Sequence, residues 1–273
     1  MISHRNRFSR SPLRARRLAR ASLACAGAVL AAGAVLAGAG VASAQTIPEL
    51  APGVPNISGA WERYRGRAGE PGTPPREAAP PLKPEHLEAW QKRQAEARAA
   101  SARGQPLATG YTYCLPDGMP SMMSGPFPFE FLQSPGQVTI VQEAYNQIRR
   151  IYLDKGQADL TDIELGFFGH SVGRWESGTL FVDTIGIKDY VRFRDVPHSP
   201  EMRISEEIHL VTPEILWDEI TIEDPEYLTE PWTFTFAYKR MPGYEILEYV
   251  CEDNREFAGQ GGVTRLRLGG GTP

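Results

Sequence analysis

Short stretches in which apolar and polar residues alternate make up most of the chain after residue 128, with turn residues between them. A period of two is typical of β-strands that bury one side and expose the other. Nine stretches fit this pattern, at residues 129–133, 137–143, 147–153, 172–176, 179–184, 203–211, 215–222, 232–239 and 244–251. The clearest is the eighth, in which four aromatic residues share one side: Trp232, Phe234, Phe236 and Tyr238.

These strands follow one another closely, and almost no helical sequence lies between them. Because parallel strands need long crossover connections, the spacing predicts an antiparallel meander. We therefore expect a mainly β fold in which the meander closes into a lipocalin-like barrel, with a β-sandwich as the alternative. Residues 263–268 are expected to add an edge strand before a loose tail at 269–273.

Residues 45–110 have a different character, since proline and glycine are frequent up to residue 84. Within this arm, residues 57–61 fit a short strand, and residues 85–103 contain neither proline nor glycine. Pro84 and Gly104 flank the second stretch, as is typical of helix boundaries, so one surface helix docked through Trp90 is predicted there. We divide the remainder into this arm at 45–110 and a β-barrel domain at 111–268.

The first 44 residues have the features of a cleavable signal peptide. An apolar run at 23–41 ends in Ala42-Ser43-Ala44, which fits a signal peptidase site, and Cys25 lies inside the run. Seven arginines and no acidic residues precede it: Arg5, Arg7, Arg10, Arg14, Arg16, Arg17 and Arg20. The protein is expected to be secreted or periplasmic, and no later apolar run is long enough for a membrane span.

Removal of the signal peptide changes the charge of the protein. The whole chain has 29 basic and 33 acidic residues; without those seven arginines, 22 basic residues remain, and the formal net charge falls from −4 to −11. Such an acidic protein is a poor candidate for binding nucleic acid through a general positive field. Two cysteines remain, and export favours a disulfide between Cys114 and Cys251; two separately buried thiols are the alternative.

Five segments give the chain a resemblance: GHSVGRWE at 169–176, TLFVDT at 179–184, PFPFEFLQ at 126–133, TIEDP at 221–225 before PWT at 231–233, and EYVCE at 248–252. Over residues 114–254, the chain resembles a family of uncharacterised secreted bacterial proteins. It departs from that family at 176–179, where the usual turn contains an acidic Gly-Asp pair. The resemblance implies export, but no particular reaction.

The segment after Gly169 provides the strongest candidates for catalysis, since the chain has no standard catalytic motif. A hairpin that turns at Ser177-Gly178 places Asp183 one diagonal step from His170. We predict that His170, Arg174 and Asp183 line one interior polar site. There His170 would be the general acid or base, Asp183 its orienting partner and Arg174 the anion holder. A structural network in which Arg174 pairs with Glu176 is the alternative reading.

Further residues are candidates for binding a ligand: Glu130, Glu143, Arg149, Arg150, Glu176, Met122 and Phe129. Consecutive residues of a strand face opposite sides, so either Arg149 or Arg150 is expected to point inward beside Glu130 or Glu143. Met122 and Phe129 either line the mouth of an apolar cavity or belong to a plug at one end of the barrel. The histidines lack the close spacing of zinc ligands, and no metal or other cofactor is predicted.

Three functions fit these features. The first is an exported enzyme that acts by acid–base chemistry on an apolar or aromatic small molecule, as a lyase, isomerase or hydrolase. The second is a non-catalytic ligand carrier with a similar cavity. The third is a structural protein of the cell envelope whose polar motif stabilises the fold.

Overall fold

A closed barrel of nine strands forms the body of the protein. The computed structural model describes residues 47–251 and the backbone of two further short strands. The barrel strands are β3 (Gly59–Tyr64), β4 (Phe129–Ser134), β5 (Gln137–Gln142), β6 (Gln147–Leu153), β7 (His170–Glu176), β8 (Thr179–Ile185), β9 (Arg203–Thr212), β10 (Ile215–Glu223) and β11 (Trp232–Arg240). They are neighbours in this order, and β11 pairs with β3 to close the barrel. The predicted mainly β barrel is confirmed, and the sandwich alternative is not the fold.

The remaining elements lie outside the barrel. They are β1 (Glu49–Ala51), β2 (Val54–Pro55), β12 (Arg255–Phe257), β13 (Thr264–Leu266) and the helices α1 (Pro84–Ala102) and α2 (Ser121–Ser124). β1 pairs with β2, and β12 with β13, in separate two-stranded ladders. The strand expected at 263–268 therefore exists as β13, but it does not extend the barrel. The predicted signal peptide at 1–44 and the tail at 269–273 lie outside the described residues.

The prediction of a purely antiparallel meander is wrong at one place. β6 and β7 are parallel, with Ile151 opposite Ser171, whereas every other pair in the barrel is antiparallel. A connection at 154–169, between Leu153 and His170, carries the chain back to the start of the next strand. A crossover needs about a dozen residues, and this segment is long enough. Alternation along a strand is the same in both orientations, so the pattern did not reveal the parallel pair.

The ninth barrel strand comes from the arm, which corrects the predicted boundary at residue 111. β3 overlaps the short strand expected at 57–61 but begins at Gly59 and ends at Tyr64, and it lies between β11 and β4. The segment expected to be a strand at 244–251 has no ladder. Instead, the Tyr244 hydroxyl donates a 2.7 Å hydrogen bond to the Glu143 carboxylate, and the backbone N–H of Leu247 donates to the same group at 3.2 Å.

Inward side chains fill the barrel. The four aromatic residues of β11 share one side, as their alternation predicted, and that side faces inward, since all four are buried. Trp61 of β3 is also fully buried. Met119, Met122 and Met123 are also buried in this core. The Tyr238 hydroxyl donates to the backbone oxygen of Met123 at 2.7 Å, which holds α2 against the interior. The methionine segment therefore packs as a plug rather than lining an open cavity.

The arm lies against the barrel through its own backbone oxygens. The indole N–H of Trp217 donates to Gly72 at 2.8 Å, and that of Trp232 donates to Ala78 at 3.1 Å. α1 begins and ends within one residue of the prediction, and the Trp90 indole donates to the backbone oxygen of Arg194 at 3.0 Å, as docking through Trp90 requires. Within the described residues, no helix combines the length and the apolar character that a membrane span needs.

The predicted disulfide between Cys114 and Cys251 is confirmed. The two Cα atoms are 5.7 Å apart, and 137 residues separate them in sequence. The bond therefore connects the two ends of the barrel-forming region that follows the arm. A cross-link over so long a loop removes much of the conformational freedom of the unfolded chain.

We expect Cys251→Ser to lower the free energy of unfolding by about 2–5 kcal/mol, because the unfolded chain regains the freedom that the cross-link removes. Urea denaturation of the protein without residues 1–44, in the absence of reductant, measures the loss. The double variant Cys114→Ser/Cys251→Ser controls for an effect of the leftover thiol and should lose the same amount. Unchanged stability of the wild-type protein after full reduction would contradict the prediction.

Candidate functional site

His170 and Asp183 are connected, but through a third residue. Gln157 lies in the β6–β7 connection, and its Oε1 is 2.7 Å from Nδ1 of His170. Its Nε2 donates to the Asp183 carboxylate at 3.2 Å. An amide oxygen only accepts hydrogen bonds, so Nδ1 carries the proton and Nε2 of His170 is the nitrogen that can accept one. Arg203 also donates two hydrogen bonds to Asp183, at 2.6 and 2.9 Å.

This cluster lies on the outside of the barrel, so the predicted interior placement is wrong. On β8, the buried residues are Leu180, Val182 and Thr184, which puts Asp183 on the opposite, outer face. Arg174 is exposed, lies 3.4 Å from Glu176 and is placed over the ring of Phe181. The pairing of Arg174 with Glu176 that the alternative reading expected is present, and both side chains are exposed. The catalytic role of His170 stays a prediction.

A layer of polar side chains crosses the inside of the barrel instead. Seven strands that are successive neighbours around the barrel each contribute one inward residue to this layer. In the order β3, β11, β10, β9, β8, β7 and β6, the residues are Arg63, Tyr238, Asp218, Glu206, Thr184, Ser171 and Arg149. Six of these residues are buried and Arg63 is half-buried. Of these seven residues, Arg149 alone was predicted from the sequence as a candidate site residue.

Arg149 and Glu206 form the centre of the layer. The guanidinium makes two hydrogen bonds to the carboxylate, one of them 2.8 Å long between Nη1 and Oε1. Nη2 also donates to the hydroxyls of Ser171 and Thr184, at 3.2 and 3.0 Å. Burial alone would lower the pKa of Arg149, but the Glu206 carboxylate outweighs that effect and the pKa is raised. An inward arginine was predicted correctly, whereas its partner is neither Glu130 nor Glu143.

The other predicted ligand residues are dispersed. Arg150 is exposed, and Glu130 lies half-buried between the inward positions of β4. Glu143 binds the segment after β11, as described above, and Met122 and Phe129 belong to the hydrophobic core. The structure therefore does not bring the seven predicted ligand residues together into one site.

Asp218 is the most unusual member of the layer. Its side chain is fully buried on β10, and no described residue forms a hydrogen bond with either carboxylate oxygen. Burial, and then the nearby Glu206 carboxylate, raises the pKa of Asp218 well above its usual value. Asp218 was not predicted as a site residue, although an acid among the alternating apolar positions of residues 215–222 was a usable signal.

A cleft of about 1010 Å³ opens at the end of β3. The arm, α1, the segments around residues 108–117 and 190–195, and β11 contribute its walls. Six arginines line it: Arg63, Arg65, Arg76, Arg93, Arg192 and Arg194. Aromatic residues line it as well, among them Tyr113, Tyr190, Phe193 and Phe236. The three acids at the cleft are Glu77, Asp117 and Asp195, so the lining carries more positive than negative charge.

Only two of the six arginines form ion pairs with described carboxylates. Arg194 lies 2.5 Å from Glu77, and Arg93 lies 3.4 Å from Asp195. Arg63 donates to the backbone oxygen of Ala237 at 2.9 Å. Its guanidinium also lies over the ring of Phe236, 4.2 Å from the centroid. Within the described chain, the guanidinium groups of Arg65, Arg76 and Arg192, like that of Arg63, form no ion pair with a carboxylate.

The histidines do not form a metal centre among the described residues, where no cluster of three potential ligands occurs. His198 is buried, with each ring nitrogen 2.8 Å from a backbone oxygen, of Ser199 and of Val191. His209 lies 3.9 Å from Glu219. Neither belongs to the cleft.

Comparison with protein-family models and with curated protein sequences finds no match for the chain.

We expect Arg149→Met to reduce the free energy of unfolding by about 3–5 kcal/mol, because it leaves the Glu206 carboxylate buried without a partner. The double variant Arg149→Met/Glu206→Met should recover much of this loss, since both charges are then absent. Arg150→Met, one position along the same strand but exposed, should change stability by less than about 0.5 kcal/mol. Urea denaturation measures all three, and a double variant no more stable than the single one would contradict the prediction.

Proposed function

We propose that the protein is exported and that its cleft binds a small molecule with an anionic group and an apolar or aromatic part. The observation that carries this proposal is the presence, in one cleft, of aromatic side chains beside four arginines that form no ion pair with a described carboxylate. These cations are concentrated there although the chain without its predicted signal peptide has a formal net charge of −11. Arginine suits this role because its planar guanidinium binds carboxylate, sulfonate or phosphate oxygens in pairs.

The size and chemistry of the cleft support a small molecule rather than a macromolecule. Small-molecule sites have volumes of about 300–1000 Å³, and the cleft lies at the upper end of that range. Its aromatic residues provide flat apolar surface at little entropic cost. The disulfide and the predicted signal peptide support export, as does the resemblance to secreted proteins.

The variant Arg76→Gln/Arg192→Gln should bind anilinonaphthalene sulfonate at least about tenfold more weakly than the wild-type protein. Both arginines are exposed, so their loss removes anion contacts from the cleft without disturbing the core. Fluorescence titration of the folded, mature protein measures the affinity.

The matched control for this experiment is Arg150→Gln/Arg174→Gln. It removes the same charge from two exposed arginines that do not line the cleft, and its affinity should stay within about twofold of the wild type. Equal losses in the two double variants would show that the probe senses only overall charge and would overturn the proposed site.

Acid–base catalysis on the bound compound is the second candidate function, and Glu77 is the observation that favours it. This half-buried carboxyl lies in the cleft, and burial raises its pKa above the usual value although Arg194 counteracts the shift. A carboxyl whose pKa is raised towards neutral can take a proton from a bound substrate or return one. The outer cluster of His170, Gln157 and Asp183 is not part of the cleft.

The affinity for anilinonaphthalene sulfonate should rise several-fold as the pH is lowered from neutral through the raised pKa of Glu77. Glu77 is ionised above its raised pKa and neutralises Arg194; below it, the protonated carboxyl releases Arg194 for the ligand, whose sulfonate stays ionised. Glu77→Gln should bind the probe with nearly constant, higher affinity over this range. If Glu77→Gln keeps the pH dependence of the wild type, Glu77 is not the titrating group.

A further inference from the structure

The geometry points to a second contact for the ligand inside the barrel, where Asp218 forms a hydrogen bond with a hydroxyl group of the bound compound. This inference rests on the proposed function and specifies its ligand class. The ligand would be an aromatic acid that carries its anion at one end and a hydroxyl group at the other.

The unpaired state of Asp218 is the first observation. The side chain is fully buried, and neither carboxylate oxygen has a hydrogen-bond partner among the described residues. Buried polar groups nearly always have partners, because leaving one without a partner is costly. Asp224, the other buried aspartate, shows the normal situation: its oxygens accept hydrogen bonds from the N–H and hydroxyl of Ser199 and from the N–H of Glu226. A ligand that forms a hydrogen bond with Asp218 would remove this cost, which favours binding at this position.

The position of Asp218 directly behind the cleft is the second observation. In the β10–β11 ladder it stands opposite Phe236, and both side chains face the interior. Opposed residues in a ladder have Cβ atoms about 5 Å apart. Phe236 and Arg63 both line the cleft, and the Arg63 guanidinium covers the Phe236 ring. Asp218 is therefore the cross-strand neighbour of a residue in the cleft wall, and we place the ligand's approach to it at this ring, where Arg63 would have to be displaced.

The charges around Asp218 select the group that it binds. A second anion would be repelled by Glu206, and a cation would meet Arg63 and Arg149. A neutral hydroxyl avoids both repulsions and the high cost of burying an isolated charge. It also both donates and accepts, so it pairs with either protonation state of the carboxyl. The exposed arginines Arg65, Arg76 and Arg192 remain available for the anionic end.

A matched pair of probes tests this arrangement: para-coumarate, a rigid aromatic acid with a terminal hydroxyl, and cinnamate, which lacks only that hydroxyl. Calorimetric titration of the mature wild-type protein should show tighter binding of para-coumarate. In Asp218→Leu, the affinity for para-coumarate should fall about tenfold, to that of cinnamate, while the affinity for cinnamate stays unchanged. Asp218→Asn keeps a polar group of the same shape and should retain part of the preference.

Thermal unfolding of the same variants separates a ligand-binding role from a structural one. Asp218→Leu should melt about 2–4 °C above the wild type, because an apolar side chain replaces an unpaired buried carboxyl. A lower melting temperature for Asp218→Leu would show that the carboxyl has a structural partner and would overturn the inference. An undiminished preference for para-coumarate in this variant would overturn it as well.

Failure of the wild type to bind either compound would count against the proposed function itself, and the inference would fall with it. Equal binding of both by the wild type would remove only the Asp218 contact.

Discussion

The ion pair between Arg149 and Glu206 constrains the interior of this barrel more than any other interaction. The two residues come from β6 and β9, which are not neighbours, and the strands between them supply the Ser171 and Thr184 hydroxyls that complete the set of hydrogen bonds. A buried guanidinium is tolerated only when its charge and its N–H groups are satisfied together. Four consecutive strands, including the parallel pair, must therefore keep one relative arrangement around Arg149.

Because Arg149 is taken up by Glu206, Asp218 has no hydrogen-bond partner among the described residues. Arg149 is the fully buried cation of the layer, and its guanidinium group pairs with the Glu206 carboxylate. Arg63 is the other arginine whose charge acts on Asp218, but it turns to the Ala237 oxygen and the Phe236 ring. The layer therefore contains two acids, Glu206 and Asp218, but one fully buried cation, Arg149, which is paired with Glu206. The charge of the layer is not balanced at Asp218, next to the cleft. Incomplete polar networks are costly to a fold, and proteins retain them mainly where they serve function.

The lining of the cleft comes partly from the barrel and partly from the segments around it. Of its six arginines, Arg63 lies in a barrel strand, whereas the others come from the arm, α1 and the segment after β8. The barrel holds these segments in place through indole hydrogen bonds from Trp217 and Trp232. Placing several cations together produces a local positive field within an otherwise acidic protein, which is an arrangement that attracts anions to one location.

The amino-acid sequence by itself determined the features that depend on local pattern. Alternation identified eight of the nine barrel strands, proline and glycine bounded α1, and the two cysteines that follow the predicted signal peptide indicated the disulfide. Only the tertiary structure decided which side of each strand faces inward, because a period of two is the same for both faces. For that reason His170 and Asp183 were expected inside and lie outside. Tertiary structure also decided the partner of Arg149, the strand that closes the barrel and the gathering of the cleft arginines. Those contacts join residues far apart in sequence, and no local pattern records which distant segments meet in space.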